Sequence, residues 1–157
     1  MRSLQASIED QARCDQLNSN TSGLRYQVLA SRIPGVFNLG GDLTLFLKAI
    51  RSRDREGLFV YAKACIDMLY STAMSYNLPI TTISLVQGEA LGGGFEAALA
   101  SNVLIAEMGT QMGLPEILFN LFPGMGAYTL LARRLDPARA EKIILSGKLY
   151  KAEELYE

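Results

Sequence analysis

The sequence predicts an α/β domain, because strand-like and helix-like stretches alternate along it and two of the junctions between them carry runs of glycine. The clearest junction lies at the centre. Residues 80–86 are mostly β-branched or apolar with no Gly or Pro among them, which describes a buried strand led in by Pro79. Gly92, Gly93 and Gly94 then precede Phe95-Glu96-Ala97-Ala98-Leu99-Ala100, a run that favours helix. Such a junction leaves the first helical N–H groups without internal partners and pointing outward, so it suits negative charge. The second junction, Val36-Phe37-Asn38-Leu39-Gly40-Gly41-Asp42-Leu43, reads as a loop that opens a helix. Asp42 is its N-cap, and Leu43, Leu45, Phe46, Leu47 and Ile50 follow at near-helical spacing.

The other elements follow in chain order. Residues 1–25 form a polar lead-in, rich in Gln, Asn, Ser and Asp, helical or irregular; residues 26–157 form the domain proper. A short strand is expected at 26–31, then a loop through Pro34 and Gly35. After the charged break Arg51-Ser52-Arg53-Asp54-Arg55, the residues Leu58, Tyr61, Ala62, Cys65, Met68 and Leu69 recur at three- and four-residue intervals, marking a long amphipathic helix. Residues 103–106 read as a buried strand and 109–116 as a turn-rich connection. Phe119, Leu121 and Phe122 read as core rather than as a ligand box, by the ordinary preference of apolar side chains. Gly124-Met125-Gly126 opens a helix over 127–134, and Asp136-Pro137 opens another that Gly147 closes. Residues 151–157 begin a further amphipathic helix.

Composition removes several classes of function. In 157 residues, 49% hydrophobic content supports one domain with a real core. Fifteen basic against sixteen acidic residues leave a net charge of -1, so there is no electrostatic case for nucleic acid or an anionic membrane. Cys14 and Cys65 fit no metal-ligand spacing and are expected as reduced thiols in a cytoplasmic protein; no metal is expected. No stretch has the apolar core of a signal peptide or the roughly 20 apolar residues of a membrane span. The chain has no histidine, which excludes Ser-His-Asp and Cys-His nucleophiles and His-ligated zinc. Acid–base chemistry must fall to carboxylates, Lys, Tyr, Cys or backbone dipoles.

Glycine turns raise phosphate binding first. Neither glycine segment continues into the Gly-Lys-Ser/Thr of a P-loop or has dinucleotide-fingerprint spacing. What remains is an oxyanion hole, two N–H donors converging on an oxygen that becomes negative during reaction. The matching carboxylates are Glu96, just inside the helix, and Glu116, in the Leu-Pro-Glu turn. Each also has an ordinary reading, Glu96 as a first-turn helix glutamate and Glu116 as a solvated turn residue.

The combination is more specific than its parts. Asn38-Leu39-Gly40-Gly41-Asp42-Leu43, residues 86–96, Met112-Gly113-Leu114-Pro115-Glu116-Ile117 and Phe122-Pro123-Gly124-Met125-Gly126-Ala127 together resemble the crotonase superfamily, the enoyl-CoA hydratase/isomerase fold. Within it, the wording at 37–43, 94–98 and 118–128 is most similar to the diffusible-signal-factor synthases, bacterial enzymes that make cis-2-unsaturated fatty-acid signals. The resemblance implies a crotonase-like spiral of ββα units, followed in the family by a C-terminal helical portion that helps form trimers and that this chain is expected to lack. It implies oxyanion-hole N–H groups at Gly41 and Gly93, catalytic Glu96 and Glu116, and no cofactor.

The implied task is dehydration of a 3-hydroxyacyl chain carried as a thioester on acyl carrier protein, then thioester hydrolysis to release the cis-2-enoic acid. Phe95, Met112, Leu114, Leu118 and Met125 are candidates for the acyl tunnel, with core packing as their alternative. Arg51, Arg53 and Arg55 form either a docking patch for the acidic carrier or a solvated connection. Two other readings stand beside this one: a CoA-linked enoyl hydratase/isomerase, and a catalytically incomplete member of the fold that binds acyl groups or a partner. Exposed apolar surface is expected where the family's later helices would pack.

Overall fold

Three strand pairs follow one another along the chain, and in each the first strand joins one sheet and the second strand another. The computed structural model describes residues 6–8, 10–11 and 23–156. The pairs are β1 (Tyr26–Ala30) with β2 (Gly35–Asn38), β3 (Thr81–Val86) with β4 (Gly88–Leu91), and β5 (Val103–Ala106) with β6 (Gln111–Gly113). Helices α1 (Leu43–Arg51) and α2 (Arg55–Ala73) follow the first pair, α3 (Gly93–Ala100) the second, and a 3-10 turn (Pro115–Phe119) the third. Then come α4 (Ala127–Arg134), α5 (Pro137–Ser146), β7 (Leu149–Lys151) and α6 (Ala152–Tyr156). One sheet runs β1-β3-β5, all parallel; the other runs β2-β4-β6-β7, parallel except for β7. This is the spiral of ββα units that the sequence leads one to expect.

The register decides where the loops go. Val36 lies opposite Glu89, Asn38 opposite Ala90 after a one-residue irregularity at Phe37, and Ala90 opposite Met112, so β2, β4 and β6 end side by side. Parallel strands that end together deliver the segments after them to one edge of the sheet. Those segments are Gly40-Gly41, Gly92-Gly93-Gly94 and Pro115-Glu116.

β2 and β6 fall where the residue pattern describes loop or turn, and β4 falls in a segment to which it assigns no element. The physical reason lies in their glycines. A Cβ on Gly88 would overlap the backbone of Gly35 and Val36, and one on Gly113 would stand 2.6 Å from Lys148 O. Close backbone approach between strands requires glycine here, whereas local propensity assigns glycine to turns. Phe119, Leu121 and Phe122 also depart from expectation. They are 62%, 54% and 80% exposed, because the backbone turns through left-handed Asn120 (φ 58°) and carries the segment over the surface.

α3 is the centre of the packing, with every residue from Gly94 to Ala100 buried. It rests on Val86, Ala90, Met112, Leu114 and Leu131 on one side, and on Leu69 of α2 through Ala97 and Ala100 on the other. Polar groups under it are paired: Ser84 and Ser101 share a hydroxyl bond of 2.8 Å, and Thr82 N–H donates to Asn102 Oδ1 at 2.8 Å. Among the described part of the lead-in, residues 6–8 and 10–11 are helical and Ile8 is buried against Tyr76 and Ile80. The remainder of the lead-in, Cys14 included, lies outside the described residues. Cys65 is a free, buried thiol.

Asp42 caps α1 as its sequence position suggests, Oδ1 accepting from Thr44 N and Leu45 N at 3.0 Å each. Asp42→Ala removes that acceptor, and about 1 kcal/mol of stability should go with it. In a domain of this size the melting temperature should fall by about 2–4 °C; an unchanged melt would mean that water replaces the cap.

Candidate active site

The site is assembled where the three loops meet. Gly40 (φ 90°) and Gly93 face each other so closely that a Cβ on Gly40 would lie 3.2 Å from Gly93 N and 2.8 Å from Leu91 O. A Cβ on Gly94 would overlap Asn38 O. The two glycine bends are therefore interlocked, and glycine is what permits it. Gly92 N–H donates to Gly113 O at 2.9 Å, which ties in the third loop. Among the described residues, neither Gly41 N–H nor Gly93 N–H donates a hydrogen bond. For Gly93, the first residue of α3, this follows from helix geometry, and the helix dipole adds to the attraction for negative charge.

Two carboxyls border these donors. Glu96, one turn into α3, is 1% exposed, and its Oε1 accepts from Met125 N and Ala127 N at 2.9 Å each. Those amides sit at the start of α4, where Gly126 adopts φ 116° and turns the chain toward the carboxylate. Glu116 lies in the 3-10 turn with Oε1 2.6 Å from where a Cβ on Gly92 would stand. Its Oε2 is buried and has no hydrogen-bond partner among the described residues.

Burial is the main cause that pushes both carboxyls above the ordinary glutamate range. For Glu96 the amides of Ala127 and Met125 pull the other way, and the charge of Glu116 pushes up again. The two amide donors favour the ionised form of Glu96, whereas among the described residues no donor reaches Glu116 Oε2.

Residues 15–157 match the sequence model of the enoyl-CoA hydratase/isomerase family. The chain belongs to this family. Relatives include the fatty acid oxidation complex subunit alpha of Idiomarina loihiensis, 34% identical over 149 residues, covering 94% of this chain and 20% of that protein. The mitochondrial methylglutaconyl-CoA hydratase of Homo sapiens is 33% identical over 141 residues, covering 89% of this chain and 39% of that one. Among solved structures, an enoyl-CoA hydratase from Bacillus anthracis superposes with a TM-score of 0.74 at 26% identity, covering 95% of this chain and 55% of the other. The chain thus spans about half of that structure and less of the two curated relatives.

Of the residues suggested for an acyl tunnel, the structure brings Met125 to the glycine bends, its Sδ 3.1 Å from where a Cβ on Gly93 would stand. Phe95, Met112 and Leu114 are 2%, 2% and 0% exposed and belong to the main core. Phe95 and Met112 also line an open apolar cavity of about 640 Å³ with Leu99, Leu104, Leu131 and Leu155, which neither Glu96 nor Glu116 borders. Leu118 is 68% exposed and lies against the turn at Gly147. Among the described residues no group of three or more metal-ligating side chains occurs, and no helix is long and apolar enough to cross a membrane.

The amides of Met125 and Ala127 carry no mark in the sequence as part of this site. What is present is Gly124-Met125-Gly126 ahead of a helix, a turn whose N–H groups converge, but nothing local names the carboxylate they serve. Gly92 as the neighbour of Glu116 was equally out of reach.

Proposed function

We propose that this site adds water to a 2-enoyl thioester of coenzyme A, or removes it from the 3-hydroxyacyl thioester. The observation that carries the reading is the asymmetric carboxyl pair, one member clamped by two amides and the other with a buried, unpartnered oxygen, beside two free N–H donors. In the hydration direction Glu96, ionised, takes a proton from water as the hydroxide oxygen bonds to Cβ of the substrate. The C=C electron pair moves onto the thioester oxygen, where Gly41 N–H and Gly93 N–H stabilise it. The enolate then collapses and takes the proton of Glu116 at Cα. Dehydration is the same path reversed, with Glu116 removing the Cα proton and Glu96 protonating the departing hydroxyl. No cofactor or metal takes part.

The test is the loss of the conjugated-thioester absorbance when short- and long-chain trans-2-enoyl-CoA esters are mixed with the protein. Turnover of any of them is the expected result. A folded chain inert to the whole series would overturn the reading and favour an acyl-binding or interaction module.

A finer reading is favoured by the wording of residues 37–43, 94–98 and 118–128: the thioester is carried by acyl carrier protein, and the dehydrated product is hydrolysed to a cis-2-enoic acid, as in the diffusible-signal-factor synthases. In that case Arg51, Arg53 and Arg55, all exposed around the turn between α1 and α2, dock the acidic carrier. Mass spectrometry of the products from a 3-hydroxyacyl carrier thioester decides it, free enoic acid being required. The exposed Leu43, Leu47 and Ile50 of α1 suit the homotrimer that the same resemblance implies.

A further inference from the structure

We infer that Tyr61 is a positioning residue for the first oxyanion donor, holding the Gly40–Gly41–Asp42 loop from α2 through its hydroxyl and its ring. The inference rests on the hydration reading above and adds a residue outside both carboxyls and both glycine bends. The Tyr61 hydroxyl accepts the backbone N–H of Asp42 at 3.3 Å. Its ring meets Phe46 edge to face, centroids 5.0 Å apart at 78°. Phe46 in turn lies on Gly41, its Cε2 2.8 Å from where a Cβ would stand. The residue after the donor and the face of the donor itself are thus held by one aromatic pair.

The need for such a clamp follows from the loop's composition. Gly40 is braced by Leu91 and Gly93, but Gly41 meets only the Phe46 ring, and an oxyanion donor works only within roughly 0.5 Å of its productive position. The loop's other bonds are local: Gly40 N–H donates to Asn38 Oδ1, and the Asp42 carboxylate caps its own helix. Tyr61 instead joins it to α2, which packs through Leu69 against Ala97 and Ala100 of α3, the helix carrying Gly93 and Glu96. One turn on from Tyr61, the buried Cys65 continues the inward face of α2 that leads to Leu69. α2 therefore spaces the Gly41 donor from the other half of the site.

Tyr61→Phe keeps the ring on Phe46 and removes the hydroxyl alone. With an enoyl-CoA substrate, kcat is expected to fall about 10-fold with KM changed less than about twofold, the pattern of an interaction felt in the transition state. The red shift of a bound 4-dimethylaminocinnamoyl-CoA, which reports polarisation of its carbonyl by the two donors, should shrink. Asp42 N–H should exchange with solvent about fivefold faster, as loss of one modest hydrogen bond implies.

A kcat within twofold of wild type with the red shift intact overturns the proposal. So does an equal change in KM and kcat with the red shift intact, which a merely structural tyrosine would produce. If the wild-type chain hydrates no enoyl thioester, the hydration reading fails by itself, and amide exchange alone decides the clamp: faster exchange at Asp42 in Tyr61→Phe supports it, unchanged exchange overturns it.

Discussion

Glu116→Gln is expected to lower enoyl thioester hydration by about 10³-fold, in the middle of the range for loss of a positioned acid or base, while raising the melting temperature at neutral pH. The activity loss follows from the proton: a side-chain amide has N–H groups but none acidic enough to protonate Cα. The gain in stability follows from burial. Glu116 Oε2 is buried with no hydrogen-bond partner among the described residues, and desolvation holds its carboxyl above the usual value. A folded-state value above the unfolded one means that the native chain binds protons more tightly, so this contribution is full below the unfolded value and is lost as pH rises through the folded one. Gln cannot ionise and escapes that loss. Thermal melts from pH 4 to pH 8 should show the variant and wild type converging in acid and the variant ahead at neutral pH. A variant less stable than wild type at neutral pH would show that the carboxylate is well solvated.

The same signs give the pH dependence of the wild-type reaction. The proposed hydration requires Glu96 ionised and Glu116 protonated, so its kcat/KM should fall on the alkaline side as Glu116, raised by burial, gives up its proton. Glu96→Gln should cost a similar factor in rate by a different route: its Oε1 still accepts from Met125 and Ala127, but water loses its base. Activity retained in both variants would remove the proposed pair.

Gly94→Ala is the second large effect. A Cβ there would overlap Asn38 O and stand 2.6 Å from Asn38 C, both backbone atoms at the end of β2. The strand end or the helix start must move. Overpacking of this kind costs about 3 kcal/mol, which is about 6–12 °C of melting temperature in a domain this size. Movement at Asn38 also drags the Gly40-Gly41 bend away from Gly93, and a misplacement of about 1 Å costs on the order of 10² in rate. Gly124→Ala is the matched control, because its Cβ would have no neighbour closer than 4.0 Å. Equal melts and equal rates for the two variants would mean that the bends are not interlocked.

These variants separate what is local from what is not. The helix starts were legible because their signals sit within a few residues of one another: Asp42 on Thr44 and Leu45, Asp136 with Pro137, Gly147 in the left-handed turn that ends α5. β2, β4 and β6 were not legible, because a three- or four-residue segment with a glycine becomes a strand only when a neighbour pairs with it. Phe119, Leu121 and Phe122 show the converse. Apolar character says that a side chain gains from burial, but the path of the backbone decides whether anything is there to bury it.

By itself the sequence determined an α/β chain with two glycine junctions and, having no histidine, left any proton transfer to carboxylates, Lys, Tyr, Cys or backbone dipoles. Only the tertiary structure decided that the junctions face each other, that Glu96 meets amides 29 and 31 residues further on, and that Glu116 is lodged at Gly92 with one oxygen unpartnered. The reason is that these relations run between loops brought to one edge by three parallel strands in register. That register is a property of the sheet and is carried by no single segment of the chain.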